Sequence, residues 1–240
     1  MFSAVLSHII SLLPCPLCRT GTAERPNAIC GKCREKLALI ADDAECCPGC
    51  GGVMNGILGV CSQCLAEPER PWFKAYTLMP FSGYAKEQIH RFKFNNHPEF
   101  ARPFGYLLAE KLNADGNDYD FLVPIPLHFI RQFTRGYNQS QLLADAVSHL
   151  TGIPCRQPLR RKYFRSNQSK RNRTDRHKAL AGSFILKSPE SIKNRRILLI
   201  DDVLTTGATL HAATKTLLHG GAESVSVLTL ARTAGLATFS

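Results

Sequence analysis

Eight of the ten cysteines stand in four C-x-x-C pairs, Cys15 with Cys18, Cys30 with Cys33, Cys47 with Cys50 and Cys61 with Cys64, and no other feature constrains the N-terminal part of the chain as tightly. Two thiolates three residues apart reach one tetrahedral ion from a tight turn, and two such turns complete an S4 cage suited to zinc. Eight ligands therefore predict two zinc ions. The stretches "CPLC", "CGKC" and "CPGCGG" supply the Pro and Gly that let backbone amides crowd the sulfurs. Four cysteines leave no position open for water or substrate, so the expected ions are structural. The spacing leaves the pairing open: consecutive pairs give two ribbon-like sites, and a crossed arrangement interleaves them. Cys46 is an alternative to Cys47, although the regular register favours Cys47, and Cys155 falls outside the pattern.

A disulfide framework is the competing reading of these cysteines, and it requires an oxidising compartment. The N-terminal "MFSAVLSHIISLLP" has neither a basic leader region nor a small-residue cleavage site, so no signal peptide is expected and the reading is a cytoplasmic zinc module. This apolar stretch is too short to span a bilayer. It predicts a short helix packed on the body, with a peripheral contact at the inner membrane as the alternative. Residues 1–66 are thus expected to form a helix and a zinc-ribbon module too small to keep its shape without metal.

The pattern changes after "EPERPW". "FKAYTLMPF" reads as a strand, and "AKEQIHRFKF" and "PFGYLLAEKL" carry apolar residues at helical spacing around a break near Asn95 to Pro98. Residues 67–118 are read as a bridging segment and 119–240 as the main domain. In the latter, "DFLVPIPL" and "RRILLID" are buried strands, and "QSQLLADAVSHL" is a helix stopped near Gly152. "ATLHAATKTLLHGG" is a second helix, followed by the strand "SVSVLTLA". Strand, helix and strand in this order predict an α/β fold with a right-handed crossover, a parallel sheet and flanking helices.

Within that fold, "ILLIDDVLTTGATL" (197–210) marks the expected site. Ligands of parallel sheets sit beyond the carboxyl ends of the strands, which places Asp201 and Asp202 at the mouth. The following loop offers free backbone amides and the hydroxyls of Thr205, Thr206 and Thr209 as an anion cradle, and Gly207 lets the chain approach a phosphate. Two carboxylates for vicinal hydroxyls beside a phosphate cradle suit a sugar phosphate. A phosphoacceptor site and a plain Asp N-cap are the other readings of adjacent acids.

The whole run, four apolar residues, two acids, two apolar residues and T-T-G-x-T, resembles the phosphoribosyl pyrophosphate (PRPP) motif of type I phosphoribosyltransferases at every position from Ile197 to Thr209. With "VPIPL" and "RGYNQS" upstream and the cysteine module ahead of both, the chain resembles the ComF family (competence protein F and GntX-like relatives) over nearly its full length. The resemblance implies PRPP and magnesium as ligands. It places Asp201, Asp202, Thr205, Thr206, Gly207, Ala208 and Thr209 at the sugar phosphate. Arg131, Arg135 and the amide of Gly136 are placed at the pyrophosphate, where guanidinium forks match phosphate oxygens. Its further implication is a role in natural transformation, bringing single-stranded DNA across the inner membrane into the cytoplasm with the uptake machinery there.

Residues 156–178, "RQPLRRKYFRSNQSKRNRTDRHK", hold ten Lys or Arg and one Asp, a net +9 of the chain's +11. Three readings compete: a hood over pyrophosphate, a flexible solvated loop, and a nucleic-acid patch. In the last, Arg160, Arg161, Lys162, Arg165, Lys170, Arg171 and Arg173 meet phosphates while Tyr163 and Phe164 stack on bases. The family pattern has Leu and Asn where this chain has Arg171 and Ala179, which shifts the loop from catalysis toward nucleic-acid binding. No base-selecting motif stands in "LTLARTAGLATFS". The leading reading is a PRPP-binding and DNA-binding competence protein. A phosphoribosyltransferase with an unidentified acceptor and a PRPP-responsive regulator without turnover are the alternatives.

Overall fold

Leu198 and Ile200 lie on one face of a strand and Ile197 and Leu199 on the other, and all four are fully buried, so layers must cover both sides. The structure is a computed structural model that describes residues 13–54, 59–66, 70–94, 97–116, 118–127, 136–162 and 182–233. Its strands are β1 (Ala75–Pro80), β2 (Phe121–Pro124), β3 (Leu159–Arg161), β4 (Phe184–Leu186), β5 (Arg196–Leu204) and β6 (Ser224–Arg232). Its helices are α1 (Gly31–Leu37), α2 (Ser62–Leu65), α3 (Gly83–Phe94), α4 (Ala101–Asp115), α5 (Gln139–Thr151) and α6 (Ala208–His219). The main sheet is parallel, in the order β1-β6-β5-β2, and β3 pairs antiparallel with β4 beside it.

Local sequence explains the element ends. Asn138 caps α5 by accepting from the Ser140 amide at 3.1 Å, and Gly152, with φ of 75°, ends it. A 3-10 turn, Pro98–Phe100, occupies the break expected between α3 and α4. The strand expected at 195–201 continues to Leu204, because β6 pairs with it through Asp201↔Thr229 and Leu204↔Arg232. On its other side β2 stops at Pro124↔Ile200.

Helices α3, α4 and α5 cover one face, where Phe92, Phe104, Leu143 and Val147 pack with Leu198, Ile200 and Leu228. Helix α6 and the β3–β4 pair cover the other, where Leu210, Leu217, Leu159 and Phe184 pack with Ile197, Leu199 and Val227. The cysteine region divides between the same faces: Cys15, Cys30 and Cys33 join the first core and Cys47 and Cys50 the second. It also covers the edge strand β1, since the Ile40 amide donates to Leu78 O at 2.9 Å and the Ala75 amide to Pro48 O at 2.8 Å. An otherwise open strand edge is thereby satisfied.

Candidate functional site

The helix after β2 and the helix after β5 pack on opposite faces of the sheet. Two neighbouring strands whose following helices diverge in this way leave a crevice between their carboxyl ends, the topological switch point at which open α/β sheets bind ligands. Asp201 and Asp202 sit there, in β5 just beyond its last pairing with β2.

Three elements hold the two acids. Ser140 Oγ, from the first turn of α5, donates to Asp201 Oδ1 at 2.9 Å, and the Asp202 amide donates to the same oxygen at 2.9 Å. Lys93 Nζ, from the last turn of α3, stands 2.8 Å from Asp202 Oδ1, with both side chains about 15% exposed. Burial, reinforced by the neighbouring Asp202 carboxylate, raises Asp201 to about 7, against the pull of the Asp202 amide, Lys93 and Ser140. The crevice thus carries a carboxyl poised near neutral pH and a lysine that offsets the charge of the pair.

The loop after β5 turns into α6 at Gly207, whose φ of 75° is the left-handed conformation that disfavours any side chain. Thr206 Oγ1 accepts from the Ala208 amide at 3.4 Å. Thr205 in the loop is exposed, and Thr209 in the first turn of α6 is half-buried. The start of α6 has glycine at its N-cap, and beyond the Ala208 amide held by Thr206 it presents the positive end of the helix dipole at this point. Arg70, from the segment before β1, reaches the loop from outside and donates through Nη1 to Thr206 O at 3.0 Å.

Gly136, with φ of 75°, stands exposed ahead of α5 on the same side as Asn138, whose side-chain amide donates to Ile125 O at 3.1 Å. Arg131 and Arg135 lie outside the described residues. Arg160 and Arg161 are on β3, with the Arg161 guanidinium 5.5 Å from the Phe184 ring centroid, and the Lys162 amide donates to Ser183 O at 2.7 Å. Tyr163, Phe164, Arg165, Lys170, Arg171 and Arg173 lie outside the described residues, as does the N-terminal helix expected before residue 13.

The cysteines form two clusters from consecutive pairs: Cys15, Cys18, Cys30 and Cys33 in one, Cys47, Cys50, Cys61 and Cys64 in the other. This resolves the pairing that spacing left open. The Cys15–Cys33, Cys18–Cys30 and Cys50–Cys61 sulfurs are 3.8, 3.7 and 3.6 Å apart. Tetrahedral zinc with sulfur ligands at ~2.3 Å requires an S···S edge of about 3.8 Å, so both cages fit that ion. Backbone amides of Gly21, Cys30 and Cys61 donate to Cys18, Cys15 and Cys47 sulfurs at 3.3–3.4 Å, which supports thiolate charge. Burial pushes the Cys33 thiol up, and the close contact of Cys47 with Cys50 pushes Cys50 up and pulls Cys47 down. Cys46 lies outside both cages, its thiol pushed up by burial.

Lys93, Ser140 and Arg70 are absent from the sequence reading of the site. Each lies between 61 and 136 residues from its partner at the crevice. The "IHRFKF" helix and the "YNQS" capping stretch marked the elements but not which side chain would reach across.

A parallel α/β sheet with paired acids at the switch point and a glycine-capped loop after them defines a protein of the type I phosphoribosyltransferase fold. Comparison with known proteins agrees: residues 98–237 match the Phosphoribosyl transferase domain. Competence protein ComFC of Bacillus subtilis (strain 168) is 35% identical over 213 residues, 85% of this chain and 84% of that protein. Competence protein F of Haemophilus influenzae is 29% identical over 225 residues, 91% and 96% of the two chains. DNA utilization protein YhgH of Escherichia coli (strain K12) is 30% identical over 227 residues, again 91% and 96%. Among solved structures, the glutamine PRPP amidotransferase from B. subtilis superposes with a TM-score of 0.41 at 16% identity, over 59% of this chain and 30% of that one. The chain belongs to the ComF family of phosphoribosyl transferase domain proteins.

Proposed function

We propose that the protein binds PRPP with magnesium in the crevice between β2 and β5 and binds single-stranded DNA, acting in competence-type DNA handling as DNA enters the cytoplasm. The observation that carries the reading is the acid pair at the open switch point, braced by Ser140 and Lys93, beside the glycine-capped loop. Carboxyl oxygens of Asp201 and Asp202 accept from ribose hydroxyls. Amides of Gly207, Ala208 and Thr209, with the hydroxyls of Thr205, Thr206 and Thr209, take the 5′-phosphate. Arg131, Arg135 and the Gly136 amide take the pyrophosphate, and magnesium, when bound, neutralises its charge. The names of the relatives, two competence proteins and a DNA utilization protein, support the DNA side. So does the cationic stretch from Arg160 to Arg173.

Calorimetric titration with PRPP and magnesium, with and without single-stranded DNA, tests the reading. Binding that vanishes in Asp201→Asn/Asp202→Asn and changes when DNA is present is the expected result, because the two ligands then share one coupling free energy. A folded native chain that ignores PRPP refutes the small-molecule site. Neutralising Arg160, Arg161, Lys162 and Arg165 together is expected to weaken DNA binding and flatten its salt dependence. An unchanged salt slope removes DNA from that stretch.

A further inference from the structure

The second cysteine cluster and the loop after β5 are joined by two side chains, Trp72, which is part of the core on that face, and Arg70. Trp72 is buried and donates through its indole Nε1 to Gly49 O at 3.0 Å, inside the turn between Cys47 and Cys50. The Arg70 guanidinium lies over the Trp72 ring, 5.1 Å from its centroid. From there it donates to Thr206 O. The packing around this bridge is tight: a Cβ on Gly207 would fall 1.8 Å from Arg70 Nη1 and 3.2 Å from Trp72 Cη2, and one on Gly49 3.0 Å from Cys64 Sγ and 3.6 Å from Arg70 Cγ. Trp72 is firmly anchored. The Phe73 amide donates to Val225 O at 2.8 Å and the Ala75 amide to Pro48 O at 2.8 Å, so the sheet and the cysteine turn both fix the backbone around Trp72.

The chemical consequence lies in the peptide between Thr206 and Gly207. In a planar trans peptide the carbonyl and the N–H point in opposite directions. A guanidinium that holds Thr206 O therefore turns the Gly207 N–H the other way and keeps one donor of the anion loop oriented before any ligand arrives. The same guanidinium adds a positive charge to the loop.

We infer that Arg70 is a positioning residue for the anion-binding loop and that Trp72 couples this role to the second cysteine cluster, so that the integrity of that cluster sets how tightly the loop holds a phosphate group. The inference rests on the reading that the loop binds the phosphate of PRPP, and the experiment separates the two. Hydrogen exchange of amides 205–210 is measured on the zinc-loaded full chain and on Arg70→Ala, Arg70→Lys and Trp72→Phe, without ligand. PRPP-magnesium affinity is then measured on the same proteins by calorimetry.

Arg70→Ala is expected to speed loop exchange and weaken PRPP binding about 10-fold, the scale of one lost charge-assisted hydrogen bond. Arg70→Lys is expected to recover part of both, and Trp72→Phe, which keeps a ring under the guanidinium but loses the bond to Gly49, to lose about threefold. Unchanged loop exchange in Arg70→Ala overturns the inference, and so does unchanged affinity where the native chain binds PRPP. If the native chain fails to bind PRPP while Arg70→Ala still loosens the loop, the bracing stands and the ligand reading falls.

Discussion

The two cysteine clusters have the same ligands and similar cage dimensions, yet they are built into different layers of the molecule. The first faces the helical layer. Cys33 Sγ lies 3.4 Å from Tyr84 OH, Leu17 and Leu37 are buried among Phe92 and Phe104, and Arg91 reaches Leu17 O at 3.5 Å. The second faces the edge of the sheet and, through Trp72 and Arg70, the loop after β5. Thr77 Oγ1 donates to Cys50 O at 3.0 Å, Arg232 donates to Gln63 Oε1 at 2.8 Å, and a Cβ on Gly51, whose φ is 68°, would meet Thr77 N at 2.6 Å. The contrast lies in what packs against the turns of each cluster. One cluster packs among the helices, and the other packs on β1 and reaches the loop that turns β5 into α6 through Trp72 and Arg70.

The largest expected effect separates the cages directly. Cys33→Ser and Cys50→Ser are each expected to lower bound zinc from two ions to one per chain and to cost more than about 3 kcal/mol of stability, since the metal supplies much of the local folding free energy. Elemental analysis and thermal melts measure both. Only Cys50→Ser is expected to accelerate exchange at amides 205–210. Equal acceleration in the two variants breaks the comparison.

A smaller effect lies in the crevice. Burial raises Asp201 from 3.8 to about 7, so between those values the folded chain keeps a proton that the unfolded chain releases. The contribution of this group to stability therefore falls as pH rises from about 4 to about 7 and is level on either side. Asp201→Asn removes the cost: its stability relative to the native chain is expected to rise by about 1–3 kcal/mol between about pH 4 and about pH 8. Denaturant melts at the two pH values check this. A difference that stays flat across that range places the shift elsewhere.

Tyr84→Phe removes the hydroxyl contact to Cys33 and is expected to cost about 0.5–1.5 kcal/mol without altering loop exchange, which sharpens the assignment of the first cage to the helices. The smallest effect belongs to Arg34→Ala. Its 3.0 Å pair with Glu110 is half exposed at the arginine, and double-mutant cycles are expected to return less than about 1 kcal/mol.

Much of this architecture was legible in the sequence where one physical rule dominates. The apolar runs at 120–127 and 195–201 announced buried parallel strands. Gly152 marked the end of α5, whereas its Asn138 cap emerged only in the fold, and the Asp-Asp and Thr-Thr-Gly run pointed to the crevice and its loop. Cysteine spacing marked the residues of both clusters but not their pairing, because a C-x-x-C turn serves either partner equally well. The strand containing Asp201 runs three residues past the predicted end, since β6 extends farther along it than β2 does. Lys93, Ser140 and Arg70 were illegible for a different reason. Their roles come from chain crossings, and the divergence of α5 and α6 to opposite faces leaves no mark in strands that are apolar on both sides.

The most direct test of the central claim uses the emission of Trp72, the only tryptophan of the chain, which is buried against Arg70 beside the anion loop. The zinc-loaded full chain is titrated with PRPP and magnesium, with Asp201→Asn/Asp202→Asn as the control. A saturable change in the native protein that is absent from an equally folded double variant is the expected result. A native chain carrying both zinc ions that shows no saturable response, with calorimetry equally silent, contradicts the account.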